Sequence, residues 1–427
     1  MVVPCPAVSS GAEGAKNRGG RAKRRPPRDA PEARCRYLVD VSHDAPNWGT
    51  SVEDYARRLA GALGVADFVY QPAVERKGSA QREISDGVLA CGDEGLILQV
   101  KARDPQTGSV DSPVRVEAWI KKVAVAGLAQ ANGTRRRFGL GPVDLVSLRG
   151  FRRTFAGVGA WPAVVIIVHP QVPELMLPQE PNTMWITLND WLGLHDRLRS
   201  TAAVIGYVSR ALTSGLHPPL GREIDRFDVL AAADEAVTGG PNSVPQLPLR
   251  SLEGDDETFS LLITEMIEQV WKPDGFFPWT DADQYRRIVE DLDRIPPAYR
   301  ADLGRKMFDA YAKMRAAAAR RSFLYLDESQ NGLFLFVYDN SDLWSEPEGF
   351  LALVAAIAMT RFAQAQEAGV APRFALGAGV LVDKVRGVSN SFCHVETAEL
   401  LDPEVRRLIE VDFGVFDGST IVAASTP

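Results

Sequence analysis

Apolar positions along the chain alternate between short runs and helically spaced stripes, the pattern of a mixed α/β protein. Val52, Tyr55, Leu59 and Leu63 share one face of a helix that begins after Gly49. Tyr37 to Val41 reads as a short strand before it, and Phe68 to Val74 as the first strand of a sheet. Two further apolar runs, Ile84 to Cys91 and Leu96 to Val100, flank Gly92-Asp93-Glu94-Gly95, which has the composition of a hairpin turn. A helix then runs from Val114 to Asn132, where Asn132-Gly133 is expected to end it. Ala163 to Val168 is an uninterrupted aliphatic run, as in a strand buried on both faces. Met184 to Leu188 follows as another strand. Asn189 or Asp190 then caps a helix holding Trp191, Leu192 and Leu198, and Val204 to Leu212 extends the helical region.

Past Pro248 the pattern repeats in kind. Phe259 to Val270 and Asp281 to Asp293 are amphipathic helices, and Pro296-Pro297 opens another that ends near Arg321. Phe323 to Asp327 and Leu333 to Asp339 form a hairpin around the strong turn signal Asn331-Gly332. A helix over Phe350 to Gln366, a strand over Phe374 to Val382 and a short helix over Pro403 to Glu410 complete the half. The expected organisation is a basic disordered tail over residues 1–36, an α/β domain over 37–237, a linker over 238–257 and a second α/β domain over 258–427. Gly- and Pro-rich Thr238 to Pro248 and acidic Glu253 to Glu257 form the linker. A chain of 427 residues exceeds one ordinary core, which agrees with that division.

The strand after the first hairpin carries the chemistry. Side chains alternate across a strand, so Leu96, Leu98, Val100 and Ala102 share one face while Ile97, Gln99, Lys101 and Arg103 share the other. Packing alone gives no reason for Gln and Lys at those positions. A symmetric four-residue loop over Gly92 to Gly95 pairs Cys91 with Leu96. It then sets Asp86 opposite Lys101, with Gln99 on the diagonal. A three-residue loop with a bulge at Gly95 shifts the register by one and sends Asp86 to the other face, and the sequence allows both. In the first case carboxylate, amide and ammonium converge. Asp86 and the Gln99 amide oxygen are hard ligands for a magnesium-like ion, while Lys101 orients a water or offsets charge on a phosphate.

Asp86 followed thirteen residues later by Gln99-x-Lys101 resembles the PD-(D/E)xK nuclease superfamily, especially its Mrr-like and NERD-like branches. The resemblance covers about residues 37–212 and implies a restriction-endonuclease-like mixed sheet flanked by helices. It also implies Mg2+ or Mn2+ as cofactor and DNA as the nucleic-acid partner, in restriction or repair. Gln99 stands where an acidic residue is commoner, although Mrr-like members tolerate Gln. The change removes one negative charge, so metal affinity falls unless another carboxylate compensates. Glu53, in the first turn of the first helix, is the residue the resemblance offers as that carboxylate. Thr50-x-x-Glu53 is also a capping box, and this local reading takes precedence. Glu83 is a rival metal ligand, yet it stands three residues from Asp86, so strand alternation points it to the other side of the strand.

Arg135, Arg136, Arg137, Arg149, Arg152 and Arg153 form the densest basic region after the tail. They are phosphate-positioning groups if the site cuts nucleic acid, and equally a solvated face between two elements. His169, before Pro170, is read as a loop hydrogen-bonder. The Asp327, Glu328, Asp339 and Asp342 group is read as ordinary capping acids. The net charge of −7 does not advertise nucleic-acid binding, so any such binding must rest on a local cluster. Four scattered cysteines without CxxC pairing imply neither a disulfide framework nor a zinc site, and the expected setting is a reducing cytoplasm. Phe350 to Met359, the longest apolar stretch, is too short for a bilayer span, and the basic N-terminus lacks the apolar core of a secretory signal. The rival reading is a non-catalytic interaction protein that keeps a nuclease-like fold, its site decayed at Gln99. In the nuclease reading the C-terminal half recognises a partner or regulates access, which makes it a candidate surface for a protein partner.

Overall fold

The computed structural model describes residues 48–71, 74–77, 80–104, 112–236, 249, 254–270, 282–317, 321–327, 332–339, 347–369, 372–383, 387–399, 401–413 and 422–423. The chain divides into Met1–Ser42 and His43–Pro427, and every described residue belongs to the second unit. The expected tail, the strand over Tyr37 to Val41 and the Thr238 to Pro248 linker lie outside the described residues.

In chain order the first part comprises α1 (Trp48–Leu63), β1 (Val69–Tyr70), β2 (Val74–Lys77), β3 (Ala80–Glu83), β4 (Gly87–Cys91) and β5 (Glu94–Ala102). It continues with α2 (Pro113–Leu140), β6 (Val143–Val146), β7 (Arg152–Phe155), β8 (Ala163–Val168), β9 (Thr183–Thr187), α3 (Leu188–Leu198), α4 (Thr201–Thr213) and α5 (Glu223–Ala236). Five strands make a mixed sheet in the order β1-β4-β5-β8-β9, antiparallel through β1, β4 and β5 and parallel from β5 through β9. Helix α2 covers one face, where Val116, Ile120 and Ala124 pack on Val165 and Ile167. Helices α1, α3 and α4 cover the other with Val52, Ala56, Trp191 and Val204 against Leu96, Leu98, Val164 and Ile166. The even and odd positions of β5 thus face different helices, as alternation requires.

The expected α/β class is therefore observed, with several corrections of detail. The hairpin closes with Cys91 opposite Glu94, leaving a two-residue loop of Gly92 and Asp93. Gly92 has φ +59°, a conformation that favours glycine at the first loop position of a II′ turn. The register differs by two residues from the four-residue loop, so Asp86 falls opposite Gln99 and Lys101 takes the diagonal. A two-residue difference preserves the face. Helix α2 does not stop at Asn132-Gly133 but runs on to Leu140, because Thr134 and Phe138 are buried there. That packing outweighs a mid-helix glycine penalty of about 1 kcal/mol. Phe68 to Val74 is divided between a 3-10 turn at Ala66–Phe68, β1 and β2. The sequence reading missed the β2–β3 and β6–β7 ribbons.

The second part comprises α6 (Asp255–Val270), α7 (Ala282–Arg294), α8 (Pro297–Ala317), β10 (Arg321–Asp327), β11 (Gly332–Asp339), α9 (Pro347–Glu367), β12 (Phe374–Asp383), β13 (Gly387–Val395), α10 (Pro403–Phe413) and β14 (Val422–Ala423). Its sheet order is β13-β12-β11-β10-β14, and β13 is a strand that the sequence reading passed over. The acidic stretch expected as linker is already helical from Asp255. One hydrophobic cluster runs from Val52 and Leu98 through Ile288 and Leu292 to Phe336 and Phe392, so the two parts share a core. Arg300 and Asp293 reinforce that junction. Arg300 Nη2 donates to Asp293 Oδ1 at 2.9 Å, and the N–H of Ala202 donates to Asp293 Oδ2 at 2.8 Å. Within α9, Gly349–Glu367 has the length and hydropathy of a membrane span, longer than Phe350 to Met359 suggested. Most of that window is buried inside the protein, with Phe350, Val354, Ile357 and Phe362 in the core.

Candidate metal centre

Three backbone segments meet at the C-terminal end of β5. Asp86 precedes β4, and its N–H donates to Leu98 O at 3.2 Å, which extends the hairpin ladder by one step. Asp86 Oδ2 accepts the Val100 N–H at 2.6 Å and stands 3.4 Å from Lys101 Nζ. Lys101 Nζ also donates to Val100 O at 2.7 Å, so the ammonium is held at the edge of the patch. Arg57 of α1 lies across Gly87 and donates through Nη1 to Asp86 O. A Cβ at Gly87 would come within 3.1 Å of Arg57 Cγ, so glycine lets α1 approach this closely. One turn earlier on the same helix stands Glu53.

The carboxylate oxygens of Glu53, Glu83 and Asp86 lie within 4.8 Å of one another. They line a cavity of about 770 Å3 together with Ser85, Gln99, Lys101, Gln130, Thr134, Arg136 and Arg137. Gln99 is 1 % exposed, so its amide is held within the protein and meets the cavity from the sheet. Glu53 is pushed up to about 7, first by burial and then by repulsion from Asp86 and Glu83, against the opposing pull of Lys101 and Arg57. Its carboxyl therefore holds a proton more tightly than an ordinary glutamate. The donor set of carboxylates and an amide oxygen fits Mg2+ or Mn2+ and not a soft metal.

The four residues taken from the hairpin and the first helix thus come together. The capping box does not form: α1 is already helical from Trp48, which leaves Thr50 inside the helix and turns Glu53 toward Asp86. Glu83 is a correction. Ile84, Ser85 and Asp86 are not strand, so alternation cannot be counted from Glu83 to Asp86. The Ser85-Asp86-Gly87 turn composition was the signal that a strand stops there.

The arginines separate into two groups. Because α2 continues past Gly133, Gln130, Gly133, Thr134 and Arg137 fall on one helical face above the cavity, with Arg136 beside them. Thr134 Oγ1 donates to Ile84 O, tying this face to the segment that carries Asp86. Arg135 instead serves the fold, donating to Trp161 O at 3.0 Å and Asn132 Oδ1 at 2.7 Å. Arg153 binds Gly92 O and Glu290, Arg149 pairs with Asp67, and Arg152 is exposed on β7 away from the cavity wall. His169 Nδ1 bonds within its own loop, to Gln171, as expected. Asp327 and Asp339 stand at opposite ends of the antiparallel β10–β11 pair and do not gather, while Glu328 and Asp342 lie outside the described residues.

Comparison of the chain with protein-family models, with curated proteins and with solved structures gives no match.

Proposed function

We propose that this chain is a metal-dependent nuclease that hydrolyses phosphodiester bonds, with a restriction-endonuclease-like first half and a second half that targets or regulates it. The observation that carries the reading is the convergence of Glu53, Asp86, Gln99 and Lys101 on one cavity whose helical wall presents Arg136 and Arg137. Asp86, Gln99 and Glu53 would hold Mg2+ or Mn2+, which when bound supplies Lewis-acid polarisation of a phosphate oxygen. The protein supplies the rest. Lys101 orients the attacking water and offsets negative charge growing on the phosphate. Arg136 and Arg137 position the flanking backbone. Fixed by Val100, Asp86 keeps its carboxylate aimed without a conformational search.

DNA is the substrate we assign, on the resemblance of Asp86, Gln99-x-Lys101 to PD-(D/E)xK nucleases, in restriction or repair. A reducing cytoplasmic setting is the assigned location, on the scattered cysteines of the sequence. A rival reading, a non-catalytic interaction protein with a decayed site, draws on the missing charge at Gln99. The nearness of Glu53 to Asp86 favours the nuclease, because the carboxylate that could compensate is at hand. Incubation with supercoiled DNA, linear DNA and RNA, with Mg2+, Mn2+ or chelator, tests the reading. Metal-dependent cutting of DNA supports it, and intact substrates under every condition would overturn it.

A further inference from the structure

Deepening the metal-centre reading, and resting on it, we infer that Glu83 is a ligand of this centre and joins Glu53 in supplying the negative charge that Gln99 lacks. The resemblance gives Glu83 no role. Its carboxylate nevertheless lies within 4.8 Å of those of Glu53 and Asp86. The placement follows from chain geometry: β3 ends at Glu83, and the break at Ile84, Ser85 and Asp86 lets both carboxylates turn toward α1. An independent observation points to a ligand at the same place. Ser85, between the two acids, is 3 % exposed and lines the cavity, yet its Oγ has no hydrogen-bond partner. A buried hydroxyl without a partner is costly, and a metal-bound water or phosphate oxygen in the cavity is the partner that would satisfy it.

Three carboxylates and one amide then replace the commoner set with an acidic residue at position 99. The charge count is restored from a different strand end. Sites of this kind set divalent-cation affinity through the number of charged ligands and the rigidity of the cage. Glu83 is exposed, so its substitution should leave the fold intact.

The test is Mn2+ binding by calorimetry to the full chain, comparing the parent with Glu83→Gln, Gln99→Glu and the double variant, alongside DNA cutting by the parent. Glu83→Gln should weaken Mn2+ binding by about tenfold or more, and Gln99→Glu in that background should recover it. Equal Mn2+ affinity in the parent and Glu83→Gln would overturn the inference while leaving the nuclease reading standing if the parent cuts. Weakening without recovery in the double variant would overturn charge compensation. Glu83-dependent Mn2+ binding with no cutting would uphold the ligand and overturn the nuclease. Absence of Mn2+ binding by the parent would overturn both.

Discussion

Asp86 Oδ2 lies 3.4 Å from Lys101 Nζ and 2.6 Å from the Val100 N–H. One oxygen therefore serves both the hairpin and the site. Asp86→Ala leaves the Val100 N–H without its acceptor, which costs about 1–3 kcal/mol. Asp86→Asn can keep an oxygen there but loses the anionic ligand. Thermal melts should show the alanine variant clearly destabilised and the asparagine variant close to the parent, while cutting falls about a hundredfold or more in both. An asparagine variant with parental cutting would contradict the role given to the carboxylate.

Glu53 sets a pH dependence whose sign is fixed by its direction of shift. Its carboxyl titrates near 7 in the folded chain, above its ordinary value of 4.5, so the folded state binds the proton more tightly. The associated stability is present in full below about 4.5 and is lost as pH rises through about 7. In chelator, melting temperature should fall over that window in the parent and fall less in Glu53→Gln. Mn2+ affinity of the parent should rise over the same window, because binding displaces the proton. A melting profile that Glu53→Gln leaves unchanged would remove Glu53 as its source.

The basic cluster should separate into two phenotypes. Arg136→Ala should weaken DNA binding and lower the salt slope by about one with little change in melting, and Arg137→Ala should do the same with a small loss of stability, because Arg137 also donates to Gly141 O and Pro142 O at the end of α2. Arg135→Ala should lower stability instead, since it donates to Trp161 O and Asn132 Oδ1. Filter binding at several salt concentrations, together with melts, distinguishes the two. Identical salt slopes in all variants would place the nucleic acid elsewhere.

Arg300 is 1 % exposed and pairs with Asp293, which also accepts the N–H of Ala202. Removing the guanidinium leaves a buried carboxylate short of its counter-ion. Arg300→Leu should lower unfolding free energy by about 3–5 kcal/mol in urea titrations. A loss below about 1 kcal/mol would mean that the junction between the two halves does not depend on this pair.

Much of this arrangement is legible in the sequence because strand alternation is insensitive to a two-residue change of register. Gln99 and Lys101 share a face whichever even register the turn selects, and Asp86 joins them. The Gly92-Asp93 turn itself was not legible, since the same residues suit loops of two, three or four. Glu83 was lost by counting alternation through Ile84-Ser85-Asp86, where the chain is not a strand. The length of α2 was lost because Asn132-Gly133 is a local stop signal, whereas the burial of Phe138 against Trp161 is a tertiary gain. That longer helix is what brings Arg137 over the cavity, so the misplaced helix end also hid which arginines face the site. The shared core of the two halves was hidden for a similar reason: α7 looks like any amphipathic helix until its partners α4 and β13 are in place.

Whether Asp86 and Lys101 form a working site is decided by the cutting of supercoiled DNA in Mg2+ or Mn2+ by the parent, Asp86→Asn and Lys101→Ala, at matched purity and folded fraction. Metal-dependent nicking by the parent and its loss in both variants are the expected result. Nicking that persists undiminished in both variants, or no nicking by a folded, metal-binding parent, would contradict it.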